Sequence, residues 1–323
     1  GGDADGETDG GETPPNEPAF TENVGPCSDG TWGTISDPAS TVHFWGGDVS
    51  SASEEGTTAT GEMNAPFTSW AEFETARTTD PNLVVTAIGL WKGEHSIPGT
   101  AITDLATENI PILGCGAAEV KISLSSGTAG PGDAMILVES GMNVALSGLT
   151  LEAEMGTSVV SVNDGGTASL HDMHLVGSLG AANLSVSGSG SLSVTESVVL
   201  GGATSIWTSG GLTSLTVSDV DIAGAQGAGI WTSGGLTSLI DVRISNIYAT
   251  PGLVSDSGGW GLVVSGSDMV VHNVTVDGAV RAGIVAAVDG VDAFMLWIVA
   301  RSCCISTRDA PLASSSTSAA SEA

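Results

Sequence analysis

The chain has 323 residues, 46 of them glycine, and its 37 acidic against seven basic side chains give a net charge of −30. Nucleic acid is excluded as a partner, because phosphate binding needs clustered cations; an anionic membrane surface and unaided capture of a polyanion such as pectate are excluded on the same ground. No apolar run reaches the ~18 residues of a membrane-spanning helix, and Asp289 and Asp292 interrupt the nearest candidate.

The chain opens on Gly1 rather than Met, from which a removed upstream segment is expected. Residues 1–26 read as an acidic, Gly-rich leader with too little apolar surface to offset its ordering entropy. Residues 27–82 form an irregular region with strand-like pieces such as Thr41 to Trp45 and one helix signal. Ser69-Trp-Ala-Glu72 is a capping box, and Trp70 and Phe73 begin an apolar stripe that continues to Ala76 or Arg77. Its place just before the first predicted strand, Leu83 to Ile88, suits a helix lying across the open end of a stack of strands. Ile110 to Gly116, Val120 to Leu124 and Met135 to Val138 are predicted to open a series of coils spanning 83–303. Phe294 to Val299 is apolar at nearly every position and reads as the last coil with its outer face covered. Residues 304–323 form an Ala/Ser-rich tail predicted to be disordered.

Within that series, Ile206 to Leu215 recurs unchanged as Ile230 to Leu239, 24 residues later. The alternation of Ile206 and Thr208 with Trp207 has the period of a strand. Sliding outward gives an inward column of Ile136, Val160, Leu184, Ile206, Ile230, Leu262 and Ile284. Two residues on lie Val138, Val162, Val186, Thr208, Thr232, Val264 and Ala286. A later strand supplies Leu151, Leu175, Leu200, Ile222, Ile244, Val276 and Ile298. One long step, absorbed by a Pro/Gly/Ser-rich insertion from Tyr248 to Ser257, is common to all three columns. Such a unit cannot bury its apolar face alone and must stack. Thr, Ser, Val and Gly fill both halves, which disfavours the helical half of a leucine-rich repeat.

In coil period and composition, residues from about Leu83 to Ile298 resemble the right-handed parallel β-helix, or pectin-lyase-like, family. The expected fold is therefore an all-β, right-handed parallel β-helix solenoid with an N-terminal capping helix. The acidic leader resembles the tether that follows the lipidated cysteine of bacterial surface lipoproteins; a flexible leader without an anchor is the alternative. Export to a bacterial surface, the outer membrane or the extracellular space is expected, with a lipid anchor upstream as one route. Four cysteines allow three connectivities; in an exported chain Cys27 and Cys115 form the candidate disulfide.

The outward row between the first two columns reads Leu137, Ser161, Ser185, Trp207, Trp231, Val263 and Val285, with Trp260 nearby. Flat indoles on a solenoid face suit sugar rings; the competing reading is that Trp207 and Trp231 stack on each other. A second outward row, Thr150, His174, Val199, Asp221, Arg243, Thr275 and Trp297, makes Asp221 and Arg243 neighbours. As a catalytic pair Arg243 would assist a carboxylate; as a surface ion pair it is worth ~0–1 kcal/mol. Asp172, Asp219, Asp241 and Asn273 share one turn position, where stacked side chains hydrogen-bond backbone. Ca²⁺ held by Asp219 and Asp241 is the competing reading. His171 and His272 share a column several coils apart and cannot form one site.

The resemblance implies polysaccharide chemistry, but the family's catalytic strings (Asn-Thr-Asp, Asp-Asp, Gly-His-Gly, Arg-Ile-Lys) are absent. The expected function is a non-enzymatic exported scaffold or adhesin-like module, without a cofactor, that binds glycan through Trp207, Trp231 and Trp260, with another surface protein as the alternative partner. The alternative is a polysaccharide lyase or glycoside hydrolase using Asp219 and Asp221 with Arg243.

Overall fold

The computed structural model describes residues 41–44, 61, 66–124, 134–153, 156–249, 258–287 and 298–300. The opening part runs β1 (Thr41–Phe44), α1 (Trp70–Thr79), β2 (Ala87–Leu90), β3 (Gly93–Ile97), α2 (Gly99–Thr107), β4 (Ile112–Gly114), β5 (Val120–Leu124) and β6 (Ala134–Val138). Then long and short strands alternate: β7 (Asn143–Glu152), β8 (Ser158–Val162), β9 (Thr167–Gly177), β10 (Ala182–Ser187), β11 (Ser191–Gly201), β12 (Thr204–Ser209) and β13 (Ser214–Ala223). The alternation continues through β14 (Ala228–Ser233), β15 (Leu236–Ser245), β16 (Trp260–Ser265), β17 (Asp268–Asp277), β18 (Ala282–Ala287) and β19 (Ile298–Ala300).

Among the described residues these strands form two parallel sheets. The long strands lie in the 12-stranded sheet, in the order β1-β2-β4-β7-β9-β11-β13-β15-β17-β19 with β3 and β5 alongside; the short ones form a seven-stranded sheet from β6 to β18. Each coil contributes one strand to each sheet, which is a parallel β-solenoid. The apolar columns meet in its interior: Ile136, Val160, Leu184, Ile206 and Ile230 are fully buried, and Leu262 and Ile284 nearly so.

Each long strand bends midway, and the bend has a cause in its residues. Gly148, Asp172, Glu196, Asp219, Asp241 and Asn273 all have φ between 48° and 68°, a left-handed conformation that L side chains other than Asn and Asp avoid. One such residue per coil re-aims the strand, so that both of its halves point alternate residues inward. Gly148 is required for a second reason: a Cβ there would strike the Gly114 carbonyl oxygen.

The opening coils depart from this pattern. Between successive strands of the large sheet, α1 and then α2 occupy the topological place that β6, β8 and their successors take later. Ser69 caps α1 as its sequence predicts, accepting from the Glu72 amide at 3.3 Å. The Glu72 carboxylate returns to the Thr68 amide and hydroxyl rather than to Ser69. Trp70 and Phe73 pack with Phe44 and Phe67 into an aromatic plug over the first coil. Helix α2 is not foreseen in the sequence; Ile102, Leu105 and Ala106 bury one face of it against the first regular coils. Arg77 of α1 reaches Glu108 after α2 at 2.6 Å, joining the two helices.

Several expectations are corrected. The large sheet begins at β1, before α1, rather than at Leu83, and the first strand after the helix is Ala87–Leu90. In β11 the residue in register with Leu175 and Ile222 is Val199, fully buried, and not Leu200. The outward neighbour of Asp221 is accordingly Val198. In the last coil Ile298 pairs with Val274 and Ala300 with Val276, two residues out from the expected column. The leader, the 304–323 tail, most of the insertion, Trp297 and most of the apolar 294–299 run lie outside the described residues.

Candidate functional site

The short-strand sheet presents a straight outward row. Register places Ser161 beside Ser185, Ser185 beside Trp207, Trp207 beside Trp231, Trp231 beside Val263 and Val263 beside Val285. Their inward neighbours Leu184, Ile206 and Ile230 are fully buried, so period-two alternation fixes which residues face outward. Trp207 is 37% exposed, and Trp231 is half-buried. The indole of Trp231 does not stack flat on a rung neighbour. It meets Trp260, the first residue of β16, edge to face, with centroids 5.6 Å apart and planes at 67°. Such pairs add about 0.5–1.5 kcal/mol beyond area burial and hold Trp231 in place, leaving Trp207 as the more open platform.

Beside the indoles the same face is lined with hydroxyls. Ser185 Oγ donates to Ser161 Oγ at 2.9 Å, and Ser187 Oγ donates to Asn163 Oδ1 at 2.7 Å. Ser187, Ser209, Ser233 and Ser265 follow one another in register, all half-buried. The sequence already sets Ser161 and Ser185 in the row of the indoles; their hydrogen bonds and the Ser187 column are what the structure adds.

The other candidates lie on the long-strand sheet. Asp221 is beside Arg243 on the next rung, as expected. Asp219 stands at the bend two residues earlier and accepts from Ser218 Oγ at 3.0 Å. Asp241 occupies the same bend one coil on and accepts from Asn273 Nδ2 at 2.5 Å. Asn273 over Asp241 is a rung between side chains, within the long strands, rather than the bonding to turn backbone that the sequence suggests, and the column also includes Glu196, which that reading omitted. Burial pushes the Asp172 carboxyl above its ordinary range; the Glu196 charge adds to this and His171 opposes it. His171 Nδ1 is 3.0 Å from Thr195 Oγ1. Among the described residues no cluster of three or more His, Cys, Asp or Glu is placed to hold a metal ion.

Cys115, following β4, is engaged in a disulfide; its expected partner Cys27 lies outside the described residues. No helix among the described residues is long and apolar enough to cross a membrane. Compared with known proteins, the chain matches no family model, no curated protein and no solved structure.

Proposed function

We propose that this chain is a non-enzymatic β-solenoid scaffold, exported to a bacterial surface, that recognises glycan through Trp207, Trp231 and Trp260. The observation that carries the reading is the row itself: two indoles on adjacent rungs face away from the core, the second braced by Trp260. Outward indoles flanked by serine hydroxyls on one side and by Val263 on the other suit the apolar faces of sugar rings, and the hydroxyls can both donate and accept. The carboxylates of the alternative enzyme reading belong to the other sheet, with Asp219 at the bend and Asp221 beyond it.

The test is a panel of uronate and neutral polysaccharides, incubated with and without Ca²⁺ and assayed for binding, unsaturated product and new reducing ends. Binding without turnover, retained in Asp221→Asn and lost in Trp231→Ala, is the expected result. Turnover abolished by Asp221→Asn would replace the scaffold with a lyase or hydrolase. A Ca²⁺ requirement removed by Asp219→Asn or Asp241→Asn would install the metal at the bend column.

A further inference from the structure

The proposed glycan reading leaves the chemistry of the ligand open, and the distribution of charge closes it. None of the seven strands of the small sheet contains Asp, Glu, Lys, Arg or His. Every long strand from β7 to β17 carries at least one carboxylate. In a chain of net charge −30 the strands of the Trp-bearing sheet are thus themselves uncharged, and described charges beside them, such as Asp164 next to Asn163 and Gly188 and Arg281 just before β18, stand in the flanking turns.

Resting on that glycan reading, we infer that the ligand is a neutral polysaccharide, and that its site continues from the indoles onto Ser161, Ser185, Ser187 and Asn163. A uronate polymer approaching this protein meets a repulsive field, and the strands of this face supply no cation to offset it. A neutral chain meets no such barrier. It also keeps its hydroxyls paired as it sheds water, because serine hydroxyls serve as donor or acceptor by rotating, whereas an unmatched polar group would cost about 1–3 kcal/mol. Ser161, Ser185, Trp207 and Trp231 stand in one line across four strands, at ~4.8 Å per rung. A chain laid on the indoles along that line runs directly onto the serines. Ser185 and Ser161 are already hydrogen-bonded to each other, and Asn163 accepts from Ser187 and, at 3.4 Å, from Ser161. The patch is therefore pre-ordered, which lowers the cost of binding.

The test is affinity electrophoresis of the whole chain through gels containing a soluble neutral β-glucan, alginate or polygalacturonate, at low and high salt. The expected result is retardation by the neutral glucan alone, nearly independent of salt. Ser185→Asp, which places a carboxylate in the middle of the row, is expected to weaken retardation at least tenfold. Ser193→Asp, on the other sheet, is expected to leave it unchanged. Should Ser185→Asp melt early, Asn163→Ala removes the shared acceptor without adding charge and is expected to weaken binding severalfold. Retardation by a uronate polymer that Trp231→Ala abolishes would overturn the neutral ligand while sparing the glycan face. Neutral binding lost in Trp231→Ala but untouched by Ser185→Asp and Asn163→Ala would overturn the extension onto the serines. Retardation by none of the polymers would overturn the glycan reading and this inference together.

Discussion

Thr208 and Thr232 lie in register on adjacent rungs inside the solenoid, 1% and 0% exposed, and neither hydroxyl has a hydrogen-bond partner among the described residues. Val186 and Val264 occupy the same column on either side. A buried unpaired hydroxyl costs about 1–3 kcal/mol, and valine has nearly the same shape. Thr232→Val is expected to raise stability by about 1 kcal/mol, and Thr208→Val similarly, in urea titrations. A loss of stability in either variant would show that the hydroxyls are satisfied.

The bend column makes a second prediction. Glu196 holds φ at 48° where Asn273 holds 51°, and a left-handed residue other than Gly, Asn or Asp is strained by about 1–2 kcal/mol. Glu196→Asn is expected to raise the melting temperature, and Asn273→Val to lower it by removing the bond to Asp241 as well. At Asp172 burial disfavours the ionised carboxylate, so its folded value lies above its unfolded one. Its contribution to stability is then full below the unfolded value and is lost as pH rises through the folded one. Asp172→Asn is expected to stabilise at pH 7 and to change little near pH 3; a variant equally stabilising at both pH values would place the cause elsewhere.

Acid sensitivity is expected from His95. Its ring lies inward on β3, 6% exposed, with Nε2 2.7 Å from the Trp91 carbonyl oxygen. Burial lowers its value from 6.5 to about 4, against a smaller opposing effect of that hydrogen bond. The unfolded chain therefore takes up a proton first. Stability associated with the neutral ring is full above pH 6.5 and is lost as pH falls towards 4, by up to about 3 kcal/mol. Unfolding free energies measured across that window are expected to fall more steeply in the wild type than in His95→Leu; equal slopes would remove His95 as the cause.

The disulfide at Cys115 is open to direct mapping. Peptides digested without reduction are expected to show Cys115 joined to Cys27, with about 2–5 kcal/mol lost on reduction, typical of a native cross-link. A Cys115 peptide joined to Cys303 or Cys304 would contradict the pairing.

The solenoid was legible because its inward columns repeat at nearly constant spacing and the decapeptide fixes their phase. Where the phase slipped, the sequence is apolar on both faces. In Val198-Val199-Leu200 any of three residues satisfies a column, and only the strand register shows that Val199 is the inward one. Ile298-Val299-Ala300 is ambiguous in the same way. Helix α2 escaped notice because Pro98 makes no side-chain cap and β-branched Thr100, Ile102 and Thr103 dilute the helical signal; the spacing of Ile102, Leu105 and Ala106 was the available clue. The ladder was visible in its Asp and Asn members but not in Glu196, a residue type that rarely adopts the bend conformation. The row holding the two indoles was legible from the same spacing. The edge contact of Trp231 with Trp260 and the bonds among the serines were not, because they depend on side-chain placement rather than on period.

Ile230 and Trp231 are consecutive residues assigned opposite tasks, core and ligand face, and a paired substitution tests both at once. Thermal melts and neutral-glucan retardation should be measured on Ile230→Ala and Trp231→Ala side by side. Ile230→Ala is expected to lose about 2–5 kcal/mol, as large-to-small core changes do, while the fraction still folded binds. Trp231→Ala is expected to cost clearly less than Ile230→Ala, since its half-buried ring loses only its contact with Trp260 and part of its burial, and to lose retardation altogether. Undiminished glucan binding by a folded Trp231→Ala protein would contradict the account.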